Sequence, residues 1–104
     1  MGQQIELIKV ALNSNYYLQG VTLRKRLFFD GFKNAQLLID DPLEAKSIHI
    51  VVLKRQMVIG TGRLTFLKND AIISQMTVHP ENQNIGIGSA ILKELVRVSI
   101  AKIL

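Results

Sequence analysis

The chain has 104 residues, enough for one modest domain and too few for two hydrophobic cores. Hydrophobic residues make up 48% and charged residues 20%, which excludes a disordered chain, and the absence of cysteine excludes disulfides, thiolate metal sites and cysteine nucleophiles together. Thirteen Lys and Arg against eight Asp and Glu leave a net charge of +5, which admits an anionic partner such as phosphate, a nucleotide cofactor or nucleic acid.

Met1 to Glu6 carry neither a basic leader nor a long apolar stretch, and Glu6 stands where a myristoylation pattern wants Ser or Thr. The central apolar run Ile50-Val51-Val52-Leu53 is strand-sized, far too short to cross a bilayer. The expectation is a soluble, cytoplasmic protein, residues 1–104 forming one domain, with no membrane partner.

Ile5 to Leu12 alternates loosely between apolar and polar residues and reads as a first strand, ending at the turn cluster Asn13-Ser14-Asn15. From Tyr16 the period changes. Tyr17, Val21, Leu23, Leu27 and Phe28 recur at helical spacing, with Ser14 or Asn15 as the cap. Gly31 ends or interrupts this helix. Residues 32–46 show little pattern, with Asp40-Asp41-Pro42 marking a turn.

Ser47 to Arg55 is β-branched and reads as a strand, followed by a short turn at Gln56. Met57 to Leu67 is the next strand, in which Gly60-Thr61-Gly62 permits a bulge or a close backbone approach. Lys68-Asn69-Asp70 is a hairpin turn, Ala71 to Val78 another strand, His79 to Asn84 a loop, and Ile85 onward a helix. The order is β, α with room for a second helix, β, β, β, α, which makes an α+β domain of packed layers.

The chemistry lies in the last strand, loop and helix. Gly86-Ile87-Gly88 at a helix start leaves backbone amides open to a ligand, and the first turn of a helix has amides without internal partners plus a partial positive charge. That combination suits a phosphate or pyrophosphate. A dinucleotide fingerprint fails, because Ile91 stands where its third glycine belongs and the chain ends before its ribose-binding acid; a P-loop fails for want of Gly-Lys-Ser/Thr. The pair taken alone also fits tight helix–strand packing.

The wider pattern is more specific. Val78-His79-Pro80 followed by Gln83-Asn84-Ile85-Gly86-Ile87-Gly88 resembles the acyl-coenzyme A signature of the GCN5-related N-acetyltransferases, the GNAT superfamily. That signature is Gln or Arg, two residues, Gly, any residue, then Gly or Ala, after a strand ending in Val-x-Pro. Gly60-Thr61-Gly62-Arg63-Leu64 on a strand and Leu23-Arg24-Lys25-Arg26-Leu27-Phe28 on a helix also resemble the family. The resemblance implies a mixed, mostly antiparallel sheet flanked by helices, here without the usual C-terminal strand, helix and strand. It implies acetyl-CoA, or another acyl-CoA, as co-substrate and no metal. The amides of Gln83, Asn84, Ile85, Gly86, Ile87, Gly88 and Ser89 would hold the pyrophosphate, and the backbone of Met76, Thr77 and Val78 would pair with the pantetheine arm. The activity implied is acyl transfer to an amine on a small molecule, peptide or protein.

No catalytic residue emerges. The strand before the loop offers only Ser74 and Gln75, while Asp70 and Glu81 read as solvated turn residues. His49 reads as a partly buried strand histidine, His79 as a loop residue, and the two are too far apart in sequence to suggest a metal site. Of Tyr16 and Tyr17, one reads as core and the other as exposed. Arg24-Lys25-Arg26 reads as a solvated helix face. A coenzyme A-binding module without chemistry, acting as a sensor or assembly partner, is the alternative to the enzyme. A nucleic-acid binder is disfavoured, because no exposed aromatics interleave with the basic residues. In the last helix Ile87, Ile91, Leu95 and Val98 form one apolar stripe and Leu92, Val96, Ile100 and Ile103 a second, so the helix and the last strand want cover. Either further chain or a second copy, giving a homodimer, would supply it.

Overall fold

The β-branched run and the apolar–threonine alternation in the middle of the chain pair as a hairpin, β2 (Ile48–Lys54) with β3 (Met57–Leu67). In the computed structural model, which describes residues 4–28 and 39–103, β4 (Asp70–Val78) adds to β3 and β1 (Glu6–Val10) adds to the other side of β2. The four strands lie in the order β1-β2-β3-β4, every pairing antiparallel. The β2–β3 turn has Arg55 (φ +54°) and Gln56 (φ +63°) both left-handed, the twist-matched arrangement for a two-residue hairpin loop. Strand β1 is shorter than its alternation suggests. The Ala11 carbonyl accepts from the Ser14 amide at 3.1 Å and the Ser14 hydroxyl at 2.6 Å, and Asn13 turns left-handed (φ +65°).

A long helix packs on each face. Helix α1 (Asn15–Phe28) is started by Ser14, whose hydroxyl oxygen accepts from the Tyr17 amide at 3.4 Å, and it packs across β2, β3 and β4. The helix end expected at Gly31 and the patternless residues 32–38 lie outside the described residues. Helix α2 (Ile87–Ile103) packs on the opposite face of β2, β3 and β4. Its first apolar stripe is the core: Ile87, Ile91 and Leu95 are buried against Ile50, Val52, Ile59 and Leu64. Leu92, Val96 and Ile100 of the second stripe are 40–51% exposed. Helix α2 begins at Ile87 rather than Ile85, because Asn84 (φ +67°) and Gly86 (φ +87°) both leave the helical region.

Two irregularities shape the sheet. The pairing of β3 with β4 slips by one residue between Thr61↔Thr77 and Arg63↔Ser74, and Gln75 in the slip is left-handed (φ +56°). That is a β-bulge, which leaves an extra residue outside the ladder and bends the strand. The second is the closeness of α2 to β3. A Cβ on Gly62 would stand 2.6 Å from Ile91 Cγ2 and 2.9 Å from Leu95 Cδ1, so only a glycine lets the helix settle there. Gly62→Ala is therefore expected to lower stability by about 1–3 kcal/mol, on the order of 10 °C in Tm, through overpacking. Leu92→Ala on the outer stripe should move the melt far less. Equal melts for wild type and Gly62→Ala would show that α2 does not approach β3 this closely.

Candidate functional site

The loop after β4 is built by short local bonds. The His79 amide donates to the Ile59 carbonyl at 2.7 Å, tying the end of β4 to the start of β3. Its ring Nδ1 accepts from the Glu81 amide at 3.2 Å, and Pro80 opens a single 3-10 turn, Pro80–Asn82. Bonding and non-bonding residues alternate along an antiparallel pair. Because His79 faces Ile59, the amide and carbonyl of Val78 turn the other way, toward the outer edge of β4. Among the described residues no strand lies along that edge. Thr77 points back at Thr61, so its backbone belongs to the sheet.

The next residues turn backbone outward. Asn84 and Gly86 are left-handed on either side of Ile85, an alternation that brings successive amides onto one side of the chain. The Ala90 amide is the first to find a carbonyl, that of Gly86 at 3.0 Å, which leaves the amides of Ile87, Gly88 and Ser89 without helical partners. A Cβ on Gly86 would meet nothing within 4 Å, and one on Gly88 only Val78 Cγ2 at 3.9 Å. The loop is thus open in front of its amides, and it sits next to the outward groups of Val78. Side chains contribute little: Gln83, Asn84, Ile85 and Ser89 are exposed, Ile87 is committed to the core, and Met76 and Val78 pack against that core. Among the described residues no three His, Asp or Glu side chains gather as metal ligands, and no helix is long and apolar enough to cross a membrane.

A second feature lies on the α1 face of the sheet. Glu44, in a one-turn 3-10 helix (Glu44–Lys46), is buried, and its carboxylate accepts four hydrogen bonds. Oε2 takes Tyr17 Oη at 2.7 Å and Arg24 Nη1 at 2.6 Å; Oε1 takes Arg24 Nη2 at 3.0 Å and Arg63 Nη1 at 2.9 Å. Arg63 also donates to Asp41 Oδ2 at 3.0 Å and from Nε to Ser74 Oγ at 3.1 Å. Arg24 Nη2 reaches Gln75 Oε1 at the bulge, at 3.3 Å. His49 donates from Nε2 to the Glu44 backbone carbonyl at 2.9 Å and meets the Tyr17 ring edge-on at 5.1 Å.

Burial alone would raise the Glu44 pKa, but the donors Arg24, Tyr17 and Arg63 outweigh it and hold the carboxyl at about 2. Burial, followed by the bond to Glu44, pushes the Tyr17 phenol well above its ordinary range. Burial pushes the His49 imidazole down, so it stays neutral.

The sequence reading missed this cluster. Arg24, expected on a solvated face, is 2% exposed, while Arg26 two residues on is exposed as expected. A usable signal was present: Tyr17, Val21 and Arg24 share one helix face by spacing, and Arg63 sits between Thr61 and Thr65 on a strand face that α1 must cover. Tyr17 proves to be the buried tyrosine of its pair, and His49 is buried.

The comparisons with known proteins agree with this architecture. The sequence profile of the acetyltransferase (GNAT) family matches residues 6–102. No curated protein sequence matches the chain. A GNAT-family acetyltransferase from Staphylococcus aureus superposes with a TM-score of 0.73 at 16% identity, over 95% of this chain and 68% of the other. A predicted acetyltransferase from Clostridium acetobutylicum, determined with acetyl-CoA, gives 0.70 at 16% identity over 95% and 75%. An aminoglycoside acetyltransferase from an uncultured soil metagenomic sample, in complex with sisomicin, gives 0.74 at 17% over 94% and 71%. At these identities the likeness shows the fold.

Two of the shifts work in the same sense with pH. Glu44 and His49 both have folded-state pKa values below their ordinary ones, so the stability each contributes is present above its unfolded pKa and is lost as pH falls. Denaturant unfolding should show stability declining below about pH 6.5 as unfolded His49 gains a proton, then more steeply from about 4.5 toward 2 as Glu44 does. Glu44→Gln should remove the steep acid limb and, by taking away the carboxylate that Arg24 and Arg63 share and leaving Arg63 only Asp41, lower stability at pH 7 by about 3–5 kcal/mol. A variant with the wild-type acid limb would remove Glu44 from this role.

Proposed function

Because the chain belongs to the acetyltransferase (GNAT) family, we propose that it binds an acyl-coenzyme A and transfers the acyl group, most simply acetyl, to an amine. The observation that carries this reading is the continuity of the outward backbone of Val78 with the open run of amides from Asn84 to Ser89, the Gln83 amide being bonded to the Pro80 carbonyl. A pantetheine arm carries amides that pair as a strand does, and a pyrophosphate takes the amides of a helix start. The Clostridium relative, determined with acetyl-CoA, supports the choice of coenzyme. The soil-metagenome relative, determined with sisomicin, supports a small-molecule amine as one class of acceptor, beside peptide and protein amines.

When bound, acetyl-CoA supplies an acyl group already activated as a thioester. The chain's own part is to bind and to orient. The loop amides and the α2 N-terminus offset the phosphate charge, and the Val78 amide fixes the arm along β4. The bulge at Gln75 releases β4 from its ladder one turn of the pleat further back, where a backbone donor can address a carbonyl oxygen. Proximity of this kind supplies much of the barrier lowering in a transfer between two bound groups. Glu44 is not the base. Its carboxylate is buried, saturated by four donors and ionised far below neutral pH.

One observation favours the second reading, a coenzyme A-binding module without chemistry. The side chains beside the bulge are already engaged, Ser74 by Arg63 and Gln75 by Arg24, and both carboxylates behind them by guanidinium groups. The two readings part on turnover: binding without acetyl transfer to any amine in a broad panel would select the module.

Acetyl-CoA at one hundred times its dissociation constant should stabilise the protein by about 2.7 kcal/mol, roughly 10 °C or more in Tm, with ATP at the same concentration giving little. No shift in folded protein would count against both readings. Gly88→Val separates site from fold: its Cβ has room and its backbone is helical, so the melt should hold while acetyl-CoA affinity falls at least about tenfold as side-chain bulk enters the phosphate position. Unchanged affinity would move the site elsewhere.

A further inference from the structure

The outward carbonyl of Val78 is already occupied: the Gln83 side-chain Nε2 donates to it at 3.0 Å. Five residues separate donor and acceptor, and the bond spans the whole of the 3-10 turn Pro80–Asn82. The carboxamide therefore supplies, on the open edge of β4, the donor that a neighbouring strand would otherwise bring. Immediately after Gln83 the backbone enters the left-handed residue Asn84, then Ile85 and left-handed Gly86. The side chain that ends the pairing edge is thus the one that sets where the open amides begin.

We infer that Gln83 is a positioning residue. Its carboxamide caps the Val78 carbonyl, stops strand-like pairing at that point, and folds the loop so that the amides from Asn84 to Ser89 face one place. This deepens the reading given above and rests on it in one respect, that a coenzyme A lies along this edge and loop. Gln83 then contacts the strand rather than the ligand through its side chain. The arm of the ligand pairs with the Val78 amide, and its phosphates start where the carboxamide has turned the chain away from β4.

Gln83 is exposed, so its replacement leaves the core intact. Gln83→Met keeps the length and removes the donor; Gln83→Glu replaces the donor with a second acceptor; Gln83→Arg restores a donor on a longer arm. Backbone 15N relaxation without ligand reads the loop directly. In wild type, Asn84 to Gly88 should be as ordered as β4, and in Gln83→Met and Gln83→Glu their order parameters should drop toward those of a flexible segment. Calorimetric titration with coenzyme A should show roughly three- to tenfold weaker binding in the same two variants, the effect of losing one neutral hydrogen bond. Gln83→Arg should restore both. Wild-type order and affinity in Gln83→Met would overturn the proposal, as would failure of Gln83→Arg to restore either. If wild type fails to bind coenzyme A while the loop still loosens in Gln83→Met, the ligand reading falls and the positioning role stands.

Discussion

The structure turns on a carboxylate taken out of water. Glu44 brings one negative charge beneath α1, and the fold answers with two guanidinium groups and a phenol from elements far apart in the chain. An isolated ion in that position would be prohibitively unfavourable, so Tyr17, Arg24 and Arg63 have to be where they are. Their being there holds α1 across the sheet, holds the segment before β2 against β3, and through Ser74 and Gln75 holds β4 at its bulge. The cluster has one slack point, the Nε of Arg24, buried without a hydrogen-bond partner among the described residues. An apolar α1 face would pack as well, but without directional bonds to Ser74 and Gln75 it would leave the bulge free to slide.

On the other face the logic is steric. Helix α2 sits on β3 at a distance that tolerates no side chain at Gly62, and its N-terminus is thereby delivered to the end of β4. The helix start, the left-handed residues before it and the outward backbone of Val78 then form one surface made almost wholly of main chain. The side chains of that segment serve the scaffold: Ile87 fills the core, His79 caps a turn and Gln83 binds a strand carbonyl. Function of this kind depends on conformation more than on residue chemistry.

That difference decides what the sequence could reveal. Gly86 and Gly88 after Val78-His79-Pro80 were legible as the start of a helix, and the resemblance they carry extends to the family and the fold. Strands β2, β3 and β4 were legible because β-branched residues fill them and short turns at Gln56 and Lys68-Asn69 separate them. Arg24 was not legible from its neighbours, since a basic triplet on a helix carries no label saying which member faces inward. Glu44 was harder still. Its segment has no hydrophobic period, and its place is dictated by partners 20 and 27 residues upstream and 19 downstream. The two stripes of α2 were visible as stripes, and packing against β2 and β3 decided which was buried.

The order of the strands has a kinetic side. Strands β2, β3 and β4 follow one another in the chain and in the sheet, joined by tight turns, so most of their pairing is local and needs little loop closure. Strand β1 is different. It must find β2 across the whole excursion that contains α1, and closing that long loop is the entropically unfavourable step. Glu44 lies at the far end of the excursion and Tyr17 and Arg24 near its start. The buried cluster is therefore also the clasp of the largest loop in the molecule. A chain that reached the three-stranded meander without fastening it would expose the inner edge of β2, and in the meantime that edge could recruit another chain.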